Sequence, residues 1–286
     1  MKKKHNLFKS TPFIFLILIL AMILLHFGLT KKVHAQKKSS DYLHSVAASP
    51  TTEQITALAS NINATIGANT GINVAVDIIN LNTDQTQQYG INNTFEAAST
   101  AKLITAADYL HCVEQGSARL DEAIDGGTAQ HALQQMIVVS DDTAWQALND
   151  YLGHDDLQTY AASLGLTNYN PADNTLTAND IALLLEKLYK GQLLDRADTS
   201  MLLGYMAHAN YQGYIGAVVP SDAKFYHKAG VLADRIHDAA IIDDGKHPLV
   251  LVIFTKNEDD ENAASPTQTD IIQRIATATF DTYSIK

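Results

Sequence analysis

The chain has 286 residues, 46% of them hydrophobic and 18% charged, enough apolar material for a large core and unlike the composition of a disordered segment. Its formal net charge is −11, but eight of the 20 basic residues and none of the 31 acidic ones fall in the first 38 positions, which leaves the remainder at −19. So acidic a domain repels nucleic acid and anionic lipid, and neither is an expected partner.

Residues 1–38 open with "MKKKHNLFK" and run into "PFIFLILILAMILLHFGL", a basic head and an apolar stretch that read as a signal peptide or a membrane anchor. The run of roughly 17 to 18 residues is close to a bilayer span, while Val33 and Ala35 in "VHAQ" suit a signal peptidase. With either fate the rest of the chain is extracytoplasmic, secreted or anchored to the outer face of the cytoplasmic membrane. No cysteine follows the run, which argues against a lipid-modified N-terminus. Membrane contact is expected only through this segment.

Residues 39–50 read as a linker, and 51–286 as the folded domain. "SPTTEQITALASNINATIGA" predicts a helix with a Pro-led start. "GINVAVDIINLNTDQTQQYGINN" alternates and turns, predicting a hairpin with strands near 72–80 and 85–90. From about 100 to 205 the pattern is helical, in segments such as "TAKLITAADYLHCVEQG", "DTAWQALNDYLG" and "TANDIALLLEKLYKG", each closed by glycine. Cys112, the single cysteine, falls inside one of them as a small hydrophobe with no partner for a disulfide. "KFYHKAG", "IHDAAIIDD" and "PLVLVIFTKN" then predict three strands, with "DDGKHP" as a hairpin turn, and "PTQTDIIQRIATATFDTY" a closing helix.

Two early strands and three late ones make one sheet only if the chain ends meet. The predicted fold is therefore α/β (α+β): a five-stranded antiparallel sheet flanked by N- and C-terminal helices. An all-helical lobe is inserted between an α/β part at 51–99 and another at 206–286. A cleft between lobe and sheet is the expected site.

Ser99 opens a helix in "FEAASTAKLITAADYL", and Lys102 lies one turn further on the same face, where a lysine can take the serine's proton. The plainer alternatives are that Ser99 caps the helix and that Lys102 snorkels. A second Ser-x-x-Lys, "SDAK" at 221–224, runs into a strand, where residues three apart face opposite ways, and reads as a turn. Two further features follow in order: Ser140 in the break between helices in "VVSDDTAW", and Lys228 on a strand before Gly230 in "YHKAG". Taken singly, the one could be a helix cap and the other an exposed strand lysine.

"STAK", "SDD" and "KAG", with the basic and apolar N-terminus and the predicted layout, resemble the penicillin-recognising serine enzymes, most closely the class A beta-lactamases, over about residues 50–286. The resemblance implies an acyl-enzyme hydrolase that needs no metal or other cofactor. It implies that Ser99 is the nucleophile, Lys102 its proton acceptor, directly or through water, Ser140 the proton carrier to the leaving nitrogen, and Lys228 the group that holds the Ser140 hydroxyl and adds positive charge for a substrate carboxylate. The N–H groups of Ser99 and Val231 would form the oxyanion hole, with Asp142, Gly230, Val231 and His237 facing substrate.

Three positions depart from the family pattern. The segment 167–176, "TNYNPADNTL", has no glutamate to activate the deacylating water; Asp173, its only carboxylate, stands in ordinary turn sequence and is assigned no role. Asp142 replaces an asparagine; it accepts hydrogen bonds only, or pairs with Lys102 and so raises that lysine's pKa. Ala229 replaces a hydroxyl residue that helps grip a substrate carboxylate; His237, on the next strand where the family often supplies a cation for that group, is the candidate to assist, its plainer alternative being a structural histidine on a polar strand edge.

The expected substrate is a beta-lactam or a cell-wall peptide, attacked by a protein read as a monomer, with deacylation slow. The alternatives are a D-alanyl peptidase, amidase or esterase, and a sensor module that beta-lactams acylate and that then stays acylated.

Overall fold

The computed structural model describes residues 49–286. The signal or anchor segment at 1–38 and most of the linker lie outside the described residues. Among the described residues no helix is long and apolar enough to cross a membrane.

The first helix, α1 (Thr52–Gly67), starts at a capping box in which the Thr51 side chain and Gln54 satisfy each other's backbone N–H. The hairpin follows as β1 (Ile72–Asn80) and β2 (Gln85–Gly90), at the positions the alternation predicts. The late strands are β7 (Lys224–Leu232), β8 (Arg235–Asp243) and β9 (Leu249–Asn257), and α8 (Pro266–Tyr283) closes the chain behind a Ser265–Gln268 capping box with Pro266 in its first turn.

The sheet order is β2-β1-β9-β8-β7, all antiparallel, so the first and last strands of the domain meet in the middle. β1 and β9 are central and read as near-continuous apolar runs because both of their faces are covered. Ala75, Ile79, Ala239, Ile241, Val250, Val252 and Phe254 face the lobe. The alternate residues Val74, Val76, Ile78, Ala240, Ile242, Leu251 and Ile253 pack with Ile271, Ile272 and Ile275 of α8. β2, on one edge, is polar.

The lobe comprises α2 (Lys102–Glu114), α3 (Ala129–Val138), α4 (Asp142–Leu152), α5 (His154–Ser163), α6 (Ala178–Tyr189) and α7 (Arg196–Met206). It is not wholly helical. A two-residue ribbon, β4 (Ala123–Ile124) with β5 (Gly127–Thr128), precedes α3, and β6 (Thr175–Leu176) pairs with β3 (Phe95–Glu96) just before Ser99. Ribbons this short carry no readable alternation.

Candidate active site

Ser99 sits in a single 3₁₀ turn, Ala98–Ala101, between β3 and α2. The turn is held by Thr100, whose Oγ1 donates to Ala97 O at 2.7 Å, and by the Ala97 N–H, which donates to Asn174 O at 2.7 Å. Ala98 has φ +49°, a left-handed conformation unusual for alanine. Neither the turn nor α2 has a side-chain cap, so Ser99 is not a capping serine. Among the described residues its hydroxyl makes no side-chain hydrogen bond, and it is half-buried.

Lys102 is the first residue of α2 and is 0% exposed, so it does not snorkel. Its Nζ donates to Ser140 O at 2.7 Å and to Asp142 Oδ1 at 2.6 Å, and lies 5.2 Å from the centre of the Trp145 ring. Trp145 is fixed in turn: its Nε1 donates to Thr105 Oγ1 at 2.9 Å, and that hydroxyl donates to Asn149 Oδ1 at 2.8 Å, bonding α2 to α4. Burial lowers the Lys102 pKa, and Asp142 opposes this without reversing it. The pairing with Asp142 is the expected one; its outcome is not, because the Asp142 side chain is 84% exposed while the lysine is buried.

Ser140 has φ +65° in the turn between α3 and α4. The helix cap there is Asp141, which accepts from Thr143 N at 2.8 Å and Ala144 N at 2.9 Å, leaving the Ser140 side chain for other use. Lys228 Nζ donates to Ser140 Oγ at 2.8 Å and to Ala229 O at 3.2 Å. Lys228 is 1% exposed, not a surface lysine. Burial first, and the neighbouring Lys102 charge second, bring its pKa down to about 7.

Gly230 closes the arrangement. A Cβ there would stand 2.9 Å from Ala97 O, 3.0 Å from the Ala98 Cβ and 3.1 Å from Ser99 N. Its missing side chain therefore lets β7 lie against the turn that carries Ser99, and Val231 follows it, exposed on the sheet edge.

His237 is corrected by the structure. The ring is 0% exposed, stacked on Phe254 and edge-on to Phe95. Its Nδ1 accepts from Thr255 N at 3.2 Å, so the proton is on Nε2, which donates to Glu96 O at 3.0 Å. Burial brings its pKa down to about 4. A neutral, fully engaged ring cannot be the cation for a substrate carboxylate.

Sequence reasoning missed Asn174, whose Nδ2 donates to Ala98 O at 3.2 Å and whose Oδ1 is buried without a partner. Its signal was an asparagine in a turn, a residue that tolerates the left-handed φ of +48° found there. Trp145 was also missed, although it stands one helical turn beyond Asp142. Asp173 is exposed and accepts from Asn170 Nδ2 at 2.8 Å.

A nucleophile turn, two buried lysines and a bridging serine, held between an antiparallel sheet and a helical lobe, define a serine hydrolase of the beta-lactamase and transpeptidase type. The model of the beta-lactamase enzyme family matches residues 57–283, and the chain belongs to that family. No curated protein matches the sequence. Among solved structures, a beta-lactamase from Sphaerobacter thermophilus DSM 20745 is similar at TM-score 0.72 and 22% identity, over 79% of this chain and 98% of that one. PBP-A is similar at TM-score 0.74 and 21% identity, over 80% and 96%. A mutant of PBP-A, solved as an acyl-enzyme complex with penicillin G, is similar at TM-score 0.73 and 21% identity, over 80% and 97%.

Proposed function

We propose that the protein opens beta-lactam or related amide bonds by attack of Ser99 Oγ, and that the resulting acyl-enzyme is released slowly. The observation that carries this is the placement of Lys102, buried one turn from Ser99 with its Nζ donating to Ser140 O and Asp142 Oδ1. On losing a proton it can keep both of those bonds and turn a lone pair to the Ser99 hydroxyl. Burial lowers its pKa and so eases that loss, against the opposing pull of Asp142.

Ser99 Oγ then bonds to the acyl carbon, its proton passes to Lys102, and the C–N bond breaks as Ser140 Oγ protonates the nitrogen. Lys228, hydrogen-bonded to Ser140 Oγ, resupplies that proton. The N–H groups of Ser99 and Val231 stabilise the oxyanion. No carboxylate is aimed at the acyl group from residues 167–176, since Asp173 is exposed and bonded to Asn170. The basic and apolar N-terminus supports action outside the cytoplasmic membrane.

The test is the intact mass of the full chain after exposure to penicillin, followed in time beside Ser99→Ala. The expected result is an adduct on the wild type that persists for many turnover times of an efficient hydrolase, and none on the variant. Absence of an adduct from penicillin, small esters and D-alanyl peptides alike would overturn the reading.

A further inference from the structure

We propose that Glu114, Asp195 and Asp198 form a calcium site that ties the C-terminal end of α2 to the first turn of α7, at the opposite end of α2 from Lys102. Glu114 is the last residue of α2, Asp195 caps α7, and Asp198 stands in the first turn of that helix. One carboxylate oxygen from each lies within 4.8 Å of the other two. A calcium ion, held at about 2.3–2.6 Å by each ligand, bridges separations of up to about 5 Å.

Surface carboxylates gather without an ion, and Glu114 and Asp195 are exposed. Asp198 is different: it is 7% exposed, and among the described residues its carboxylate accepts no hydrogen bond. A buried carboxylate without a donor is costly. The cause is local. In α6 the corresponding residue, Asp180, closes a capping box by accepting from Thr177 N at 2.9 Å and Thr177 Oγ1 at 2.6 Å. In α7 the matching N–H, that of Asp195, is taken by Glu114 Oε1 at 2.6 Å. Asp195 Oδ1 in turn accepts from Ala197 N at 2.7 Å and Asp198 N at 2.9 Å, and the Asp198 carboxylate is left beside the other two. Burial first, then the charges of Asp195 and Glu114, raise its pKa above the ordinary aspartate value.

Among the described residues none of the three has a lysine, arginine or histidine as an ion-pair partner. The positive end of α7 offers roughly half an elementary charge against three carboxylates. Calcium fits the donor set. All three ligands are hard oxygens, with no nitrogen or sulfur to favour zinc. Glu114 Oε2 and Asp195 Oδ2 accept no hydrogen bond among the described residues, and the exposed side admits the waters that complete a shell of roughly six to eight ligands. Magnesium demands a tighter octahedron, at about 2.0–2.1 Å, and gives up its water reluctantly.

The test is thermal unfolding of the full chain in EDTA, in about 10 mM calcium chloride, in about 10 mM magnesium chloride, and in sodium chloride of the same ionic strength. For a site of about 1 mM affinity, calcium is expected to raise Tm by about 3–6 °C over the sodium control, and magnesium by less than about half of that. In Asp198→Asn the calcium increment is expected to fall to about 1 °C or less, while Tm in EDTA stays at or above that of the wild type because a like charge is gone. Glu114→Gln, whose amide oxygen can still accept from Asp195 N, should lose the calcium increment in the same way. A wild-type Tm that calcium leaves at the sodium value overturns the site, as does an equal rise in magnesium or a calcium increment that survives in both variants. Unfolding of Asp198→Asn several degrees below the wild type in EDTA would show the carboxylate to be satisfied without an ion, and overturns the proposal too.

Discussion

On the lobe side of Ser99, side chains from α2, the α3–α4 turn and β7 meet through contacts of 2.6 to 2.8 Å, and both lysines there are buried with lowered pKa values. On the other side, the segment 167–176 reaches the nucleophile's turn only through Asn174, while its one carboxylate faces solvent. The contrast separates two chemical demands. Forming an acyl-enzyme needs a proton acceptor at the serine and a donor at the leaving nitrogen, whereas releasing it needs a base that grips water against the acyl carbon. The proposed function assigns the first set to the lobe side, while segment 167–176 aims no carboxylate at the nucleophile's turn.

Substitutions on the two sides should therefore behave differently. The largest effect is expected for Lys102→Ala, which removes the proposed proton acceptor and should slow adduct formation about 10³-fold, measured by mass against time. A loss below tenfold would take the base away from this side of the cleft.

Next, Gly230→Ala drives a Cβ into Ala97 O, the Ala98 Cβ and Ser99 N. Backbone atoms yield poorly, so a loss of about 1–3 kcal/mol in stability is expected, with slower acylation and an unchanged rate of adduct decay. Denaturant unfolding and the two adduct rates check both parts.

Lys228 gives a pH dependence. Its folded pKa is about 7, whereas an unfolded lysine titrates near ~10.4. Between those values the unfolded chain holds a proton that the folded chain lacks, so stability rises with pH by up to about 1.4 kcal/mol per unit. Unfolding of Lys228→Met across that window should show this contribution flattened. The smallest effect belongs to the other side: Asp173→Asn should leave the adduct's decay within about twofold of wild type. A clear slowing would make Asp173 the deacylating base and bring the two sides level.

The order of chemistry along the chain was legible because each motif rests on local spacing: a serine and a lysine one turn apart, a serine between helices, a lysine before a glycine. The sheet strands were legible for the same reason, since period-two alternation and apolar runs are local. What escaped depends on neighbours far away in sequence. His237 was read as a cation for a substrate carboxylate, but Phe95 and Phe254 enclose its ring and the Thr255 N–H fixes its tautomer. The balance at Lys102 is similar: the Asp142 contact could be anticipated, but not that burial would outweigh it. Asn174 is read as plain turn sequence until β3 and β6 pair and set it beside Ala98.

The register in which Ile72 faces Asn257 and Asn80 faces Leu249 bears on how the molecule reaches this state. The two central strands are separated in sequence by the whole lobe and by β2, β7 and β8, so the sheet cannot close until the last strand is available, and a large loop must be ordered first. Helical segments can form early; the pocket cannot, because β7 is positioned by β8, and β8 by β9. Folding of this domain should accordingly be slow and gated by its C-terminal end, and a chain cut before β9 would hold the catalytic side chains without a frame to bring them together.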